Sequence, residues 1–415
     1  MLKKLIIKNS WIVIALAVMG CGAENTMIVT EVPETQPSEE AVPEVIEELT
    51  SEAEDMPATI SEVTEEPTSE IADTPLPEEK EDPGADEAEW LSDWQENHTR
   101  VKGIYVTGPV AGSSKMDELI ELIDETDLNA VVIDLKNDMG EITYSAGENK
   151  SYISDIDALI AKLKDHGIYT IARIVCFKDP VFAENSPEQA LLKGDGKPVT
   201  DGAGNAWVNP CDKVVWEHIA TYAEAAGEAG FDEIQFDYVR FPVGTDADQA
   251  DYGIELDENT KTEILTEFFD YMTERLHSHR IIVGADLFGT VIGSDIDKKL
   301  VGQDYLLIIR QIDVVSPMIY PSHYASGSFG LSVPDAYPYD TVYSALKNAS
   351  EVAEETDGER LAVVRPWLQA FTATWVKGHI EYKKAQINEQ IRAVTDAGYE
   401  EWILWNASNK YGSYK

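Results

Sequence analysis

An α/β fold, a TIM-like (β/α)8 barrel preceded by a disordered acidic linker, is the architecture this sequence predicts. Three observations carry that prediction. From about residue 90 to 415, eight short apolar runs alternate with amphipathic stretches of helical period. Several of the runs follow Gly or polar turn residues, such as Gly167 and Gly398. Polar and charged residues recur near the C-terminal end of each run, the end at which parallel barrels carry their chemistry. Over 300 residues is enough for one large core.

The chain begins with a targeting segment. Lys3, Lys4 and Lys8 precede the apolar run 11–20 (WIVIALAVMG), which is short for a bilayer span. Val18-Met19-Gly20-Cys21 then resembles a bacterial lipobox, although Val18 and Met19 depart from its usual Leu and small residue. Residues 1–21 are thus expected to be a lipoprotein signal peptide with Cys21 as the lipidated N-terminus. An ordinary secretory signal or an uncleaved anchor are the alternatives, and each exports the rest of the chain.

Residues 22–89 read as an acidic, Pro-rich linker that cannot bury a core. Between residues 24 and 97 there are 25 Asp and Glu against one basic residue, Lys80, so this stretch carries 24 of the 45 net negative charges. It also holds eight of the 19 prolines. Such a segment repels itself and extends. The overall acidity is therefore largely a property of the tether, and the lack of a basic patch argues against a nucleic-acid partner. A lipid anchor on this tether would place the domain 90–415 at the cell surface or envelope.

The strand expectations, in chain order, are 101–108 (VKGIYVTG), 129–137 (NAVVIDLKN), 168–177 (IYTIARIVCF), 231–242 (FDEIQFDYVRFP), 281–290 (IIVGADLFGT), 312–321 (IDVVSPMIYP), 361–371 (LAVVRPWLQAF) and 401–408 (EWILWNAS). Helical stretches are expected at 115–125, 156–166, 214–229, 259–277, 339–355 and 380–397, with a weaker one at 294–311. Too few residues follow the eighth strand for a last helix, so that helix is missing or replaced, with 87–97 a candidate to pack back in its place.

The fourth strand organises the reading. Residues two apart on a strand share a face, so Gln235 and Asp237 point one way while Ile234 and Phe236 point the other. A carboxylate on a buried face is costly unless it is bonded or serves a site. A structural ion pair with Arg240 is the competing account of Asp237. Other strand ends add polar groups: Asp134 and Lys136, Arg173, Asp286, Arg365 and Gln369, and Asn406, with Ser316, Tyr320 and His323 from the sixth. For Arg173, Lys136 and Arg240 an ion-pair role is at least as good an account as a part in the chemistry. The aromatic residues Trp207, Tyr320, Tyr324, Trp367, Trp375 and Trp405 fall at the same end. Aromatic faces stack on sugar rings while nearby polar groups bond the hydroxyls, although core packing accounts for any one of them.

Other chemistries are poorly supported. Among the seven His the one His-x-His pair, His277 and His279, flanks an expected helix end, and there is no His-Glu-x-x-His, so no zinc hydrolase is indicated. There is no Gly-x-Ser-x-Gly elbow and no phosphate loop. Cys176 and Cys211 could form a disulfide in an exported protein, with free thiols the default. No metal or organic cofactor is implied.

The segments VKGIYVTG, AVVIDLKNDMGEITY, ARIVCFKDP, WVNPC, GFDEIQFDYVRFP, ADLFG, VVSPMIYPSHY, RPWLQAF and WILWNASN, in that order, resemble a bacterial family described as a "putative glycosyl hydrolase domain", related in its barrel to the α-amylase superfamily. In α-amylase-like barrels the fourth strand carries an Arg and, two residues later, the nucleophilic Asp. Here Gln235 stands at the Arg position and Asp237 matches the Asp; the usual fifth-strand Glu is replaced by Asp286, and the usual seventh-strand His-Asp is absent from RPWLQAF.

The expectation is a lipid-anchored, exported glycoside hydrolase acting on a polysaccharide or oligosaccharide. Asp237 and Asp286 are the catalytic pair. Asp134, Lys136, Arg173, Trp207, Gln235, Arg240, Tyr320, His323, Arg365, Trp367, Gln369, Trp405 and Asn406 are the candidate substrate-binding residues. Charge stabilisers expected for Asp237 are Arg240 and Lys136, and the apolar surround expected for Asp286 comes from Leu287 and Phe288. The rival expectation is a non-catalytic glycan-binding lipoprotein on a degenerate barrel.

Overall fold

The computed structural model describes residues 83–415 apart from 146–150, 245, 355, 357, 358, 413 and 415. The signal segment with Cys21, and the linker up to residue 82, lie outside the described residues. Eight parallel strands form one closed sheet: β1 (Lys102–Val106), β2 (Ala130–Lys136), β3 (Tyr169–Val175), β4 (Glu233–Asp237), β5 (Ile282–Phe288), β6 (Val314–Ile319), β7 (Trp367–Gln369) and β8 (Trp402–Trp405). Each pairs with its neighbour in sequence, β8 returns to β1 through Gly103 and Ile403, and β6 joins β7 through Met318 and Trp367. This is the TIM-like (β/α)8 barrel.

The helices α1 (Pro83–Asn97), α2 (Lys115–Asp124), α3 (Ile156–Asp165), α4 (Lys213–Glu228), α5 (Glu258–His277), α6 (Asp295–Val301), α7 (Pro338–Ala353) and α8 (Lys384–Asp396) complete the fold. Several begin where a side chain accepts from the orphan amides of the first turn: Asp155 from Ala158, Asp212 from Val214, Asp257 from Asn259 and Thr260. The 294–311 stretch divides into α6 and a single turn, Tyr305–Ile308, because Gly302 takes the left-handed conformation between them.

Strand alternation sorts the core into two. Ile104, Val131, Ile133, Ile174, Ile234, Phe236, Val283, Ala285 and Leu287 face outward and pack under the helices. Tyr105, Ala130, Val132, Ile171, Tyr320, Trp367 and Ile403 face the barrel axis, alongside an unusual number of charged groups. Parallel barrels are ordinarily filled with branched apolar side chains, so the polar interior marks this one.

Three boundaries differ from the sequence expectation. Strand β4 ends at Asp237 rather than running to residue 242, because Tyr238 adopts φ 49°, in the left-handed region. The seventh strand splits, since Pro366 separates Val363–Val364 from β7 and cannot donate to a ladder. Helix α1 starts at Pro83, inside the stretch expected to be linker, and does not take the eighth helix's place. It crosses the floor of the barrel, where Leu91 meets Ile282 and Val314 at the starts of β5 and β6. The C-terminal segment covers β8 and β1 instead: Tyr411 donates from its hydroxyl to the Tyr105 carbonyl at 2.7 Å, and Tyr414 packs on Trp402.

Candidate active site

Glu233, Gln235 and Asp237 share the inward face of β4, so that strand alone sets charge at three depths of the barrel. At the floor, Arg365 donates from Nη1 to both oxygens of Glu233 at 2.8 Å and from Nε to Glu401 at 2.8 Å. All three are fully or almost fully buried. Glu401 also contacts His98 at the end of α1, at 2.6 Å. Burial pushes the Glu401 carboxyl up, but Arg365 and His98 more than offset this and hold it below the ordinary range. Midway along, Gln235 donates to Ser316 at 3.0 Å.

At the mouth, Arg173 from β3 lies between two carboxylates. Its Nε and Nη2 both donate to Asp237 Oδ2, at 3.0 and 2.5 Å, and its Nη1 donates to Asp134 Oδ1 at 2.6 Å. The Tyr105 hydroxyl donates to the other Asp134 oxygen at 2.8 Å. Burial lowers the affinity of the Arg173 guanidinium for its proton, but Asp134 and Asp237 overcome this and lock the charge on. Burial raises the Asp134 carboxyl, with Arg173 and Tyr105 opposing it.

The turn after β4 fixes the orientation of Asp237. The strained Tyr238 donates from its backbone amide to Asp237 Oδ1 at 2.6 Å, and Cys176 and Phe177 donate to the carbonyls of Asp237 and Tyr238. Left-handed conformations at residues other than Gly are costly and gather at functional sites.

Asp286 stands on the adjoining strand. Gln235 pairs with Gly284 and Phe236 with Ala285, so Asp237 and Asp286 are the next residues of their respective strands. Trp367 Nε1 donates to Asp286 Oδ1 at 2.6 Å, and Asp286 is 1% exposed. Burial raises its carboxyl well above the ordinary range, and the neighbouring charge of Asp237 raises it further. Leu287, expected to line Asp286, faces outward instead. With three carboxyls around one guanidinium, and Arg173 hydrogen-bonded to Asp134 and Asp237, Asp286 is the one that burial and the neighbouring Asp237 bias most toward its protonated form.

The aromatic residues form an arc beside this cluster. Tyr105 and Trp405 stack at 4.0 Å, Trp367 meets Trp405 edge-on at 5.4 Å, and Arg173 lies 5.5 Å from the Trp405 ring. Tyr320 is 6.5 Å from Trp405 and 5.1 Å from His323. Burial pushes His323 down to about 4, leaving it neutral, with Nδ1 3.0 Å from the Ser322 hydroxyl.

Of the residues predicted from sequence, the fold thus gathers Asp134, Arg173, Asp237, Asp286, Tyr320, His323, Trp367 and Trp405 at the mouth, with Gln235 just beneath. The others stand elsewhere. Lys136 is buried against Asp179 at 2.7 Å and the Val175 carbonyl at 2.8 Å, so it does not serve Asp237. Arg365 belongs to the floor. Arg240 does not supply the cation of Asp237; its guanidinium lies against the Trp207, Tyr238 and Phe288 rings. Trp207 is 1% exposed beneath it, with no face to offer a sugar. Gln369 bonds Ser322, Asp335 and Phe371, and Asn406 bonds the Ala370 and Lys410 carbonyls, both organising loops. Tyr105 was missed, although its inward parity on β1 signals it. Cys176 and Cys211 are free thiols. Among the described residues no cluster of His, Cys, Asp and Glu has the arrangement to hold a metal ion.

Fold and site together define a TIM-like (β/α)8 barrel with a buried cluster of carboxyls around one guanidinium at its mouth. Residues 103–411 match the family described as "putative glycosyl hydrolase domain", and the chain belongs to that family. No curated protein matches the chain. Among solved structures, a hypothetical protein from Ruminiclostridium thermocellum ATCC 27405 is 32% identical over 44% of this chain and 96% of its own, with a TM-score of 0.40. The glycoside hydrolase domain of PgaB (BpsB) from Bordetella bronchiseptica is 15% identical, covering 74% of this chain and 94% of its own, with a TM-score of 0.56. That likeness shows the shared barrel fold.

Proposed function

We propose that this domain is a glycoside hydrolase that cuts a cell-surface or extracellular polysaccharide, with Asp237 as nucleophile or base and Asp286 as acid. The observation that carries the reading is a carboxylate paired to Arg173 beside a second, almost fully buried carboxyl on the adjoining strand, which burial and the first one bias toward its protonated form. Glycosidases need this division of labour across the scissile bond. In the retaining course that the α-amylase-like resemblance implies, Asp286 gives its proton to the leaving oxygen while Asp237 bonds the anomeric carbon. Water then displaces Asp237, returning its proton to Asp286. Arg173, reaching over from β3 at the register position of Gln235, supplies the cation that α-amylase-like barrels carry on the fourth strand.

Asp237→Asn tests this on a panel of soluble glycans: hydrolysis is abolished and glycan binding is kept. Full activity in that variant would remove Asp237 from the mechanism. The second reading, a glycan-binding protein without catalysis, draws on the near-complete burial of Asp286 and the saturated hydrogen bonding of Asp237. Wild-type binding with no hydrolysis across the panel would favour it. Lipid anchoring through Cys21 belongs to the same proposal, and Cys21→Ser should move the protein out of the membrane fraction.

A further inference from the structure

The loop after β7 carries a large aromatic side chain that the two-carboxylate chemistry does not use. Trp375 is 46% exposed, whereas every other described tryptophan is buried or half-buried. It stacks on Phe371 with centroids 5.9 Å apart and planes within 21°. Phe371 lies 6.0 Å from Tyr320, which lies 6.5 Å from Trp405, the ring beside Arg173. These rings make a continuous path from the carboxylate cluster to the protein surface, each step about one sugar ring wide.

The loop is held by a network of hydrogen bonds. Asp335 accepts from Gln369 Nε2 at 2.9 Å and from the Ile380 amide at 3.2 Å, and its carbonyl accepts from the Tyr382 hydroxyl at 3.0 Å. Gln369 Nε2 also donates to the Phe371 carbonyl, and the Tyr382 amide donates to Thr372. Exposing an indole to water has no value for folding, and clamping the loop that presents it lowers the entropy lost on binding.

We propose that Phe371 and Trp375 form a subsite for a sugar unit several residues along the chain from the scissile bond, so that the preferred ligand is an extended glycan rather than a disaccharide. This rests on the glycoside hydrolase reading. A polysaccharide suits the path because every sugar ring has an apolar face for stacking and a rim of hydroxyls that stays in water. A flat apolar partner protein would need a broad patch, and here the exposed ring continues inward to the candidate active site.

Affinity electrophoresis in gels containing glycol chitosan, xylan, barley β-glucan or soluble starch tests the inference without requiring turnover. The wild type should be retarded by at least one polymer, and Trp375→Ala should weaken that retardation roughly three- to tenfold, the range expected for one stacking contact. Trp375→Phe should restore most of it. Competition by the matching disaccharide should be equal in wild type and Trp375→Ala, while competition by the hexasaccharide should differ. Retardation by none of the polymers, or an unchanged Trp375→Ala, overturns the subsite. A separate outcome bears on the chemistry alone: Trp375→Ala weakened but Asp237→Asn still hydrolysing would keep the subsite and discard the proposed nucleophile.

Discussion

Arg173 and Asp237 are joined by two hydrogen bonds to one oxygen, Nε and Nη2 both donating to Oδ2, while the same guanidinium reaches Asp134 with Nη1. One cation on β3 therefore orients two carboxylates on the strands to either side. The arrangement fixes charge and geometry at once, because a guanidinium presents its donors in a planar fork.

Arg173→Lys keeps the charge but cannot bond both carboxylates in this geometry. On the proposed mechanism kcat should fall on the order of 10²-fold. Arg173→Met strands two buried carboxylates and should destabilise the fold by about 3–5 kcal/mol. Kinetics on a hydrolysed glycan and urea unfolding read the two effects. Wild-type kcat in Arg173→Lys would show that the clamp is structural only.

Trp367 controls the proton on Asp286. Its indole hydrogen bond favours the charged carboxylate, working against burial and Asp237. Trp367→Phe removes that bond, so the Asp286 carboxyl should rise further. If Asp286 is the general acid, the basic limb of kcat/KM should move to higher pH. Asp286→Asn should lose activity on natural glycosides yet retain much of it on aryl glycosides whose leaving group needs no proton. A basic limb that stays in place in Trp367→Phe would assign the acid to another group, with Asp134 the next candidate.

Arg365 is expected to matter for folding and not for glycan contact. Arg365→Met leaves Glu233 and Glu401 buried without their cation, at a cost of about 3–5 kcal/mol. Any folded protein recovered should bind glycan like wild type. Normal unfolding stability combined with weakened binding would return Arg365 to the ligand.

His277 ties α1 to the barrel floor through Glu87 and Asp313, each at 2.8 Å. Burial opposes its protonation, but Asp313 first and then Glu87 raise its pKa above the ordinary 6.5. A raised folded value means the stabilisation is complete below about pH 6.5 and is lost as pH rises through the folded value. Protease sensitivity at the α1 junction should therefore increase with pH above that point. His277→Gln should flatten the dependence, and an unchanged pH profile in this variant would exclude His277 as its source.

The sequence by itself determined the barrel, because eight short apolar runs separated by helical periods leave few other ways to bury both faces. It also determined which side of β4 is polar: the parity that sets Gln235 and Asp237 against Ile234 and Phe236 is a local property of extended backbone. Tertiary structure decided which charge meets which. Arg173 and Asp237 are 64 residues apart, Arg365 and Glu233 132 apart, and Trp367 and Asp286 81 apart. Those partnerships depend on strand register and barrel closure. Neighbours in sequence misled for the same reason: Arg240 follows Asp237 by three residues, but the left-handed turn at Tyr238 ends the strand, and the Arg240 guanidinium lies among aromatic rings instead. Depth along the axis was likewise invisible, since Arg365 and Gln369 belong to one expected strand, 361–371, while one lies at the floor and the other buttresses the mouth. A strand's pattern specifies a face, and only the closed barrel specifies the height at which that face meets its neighbours.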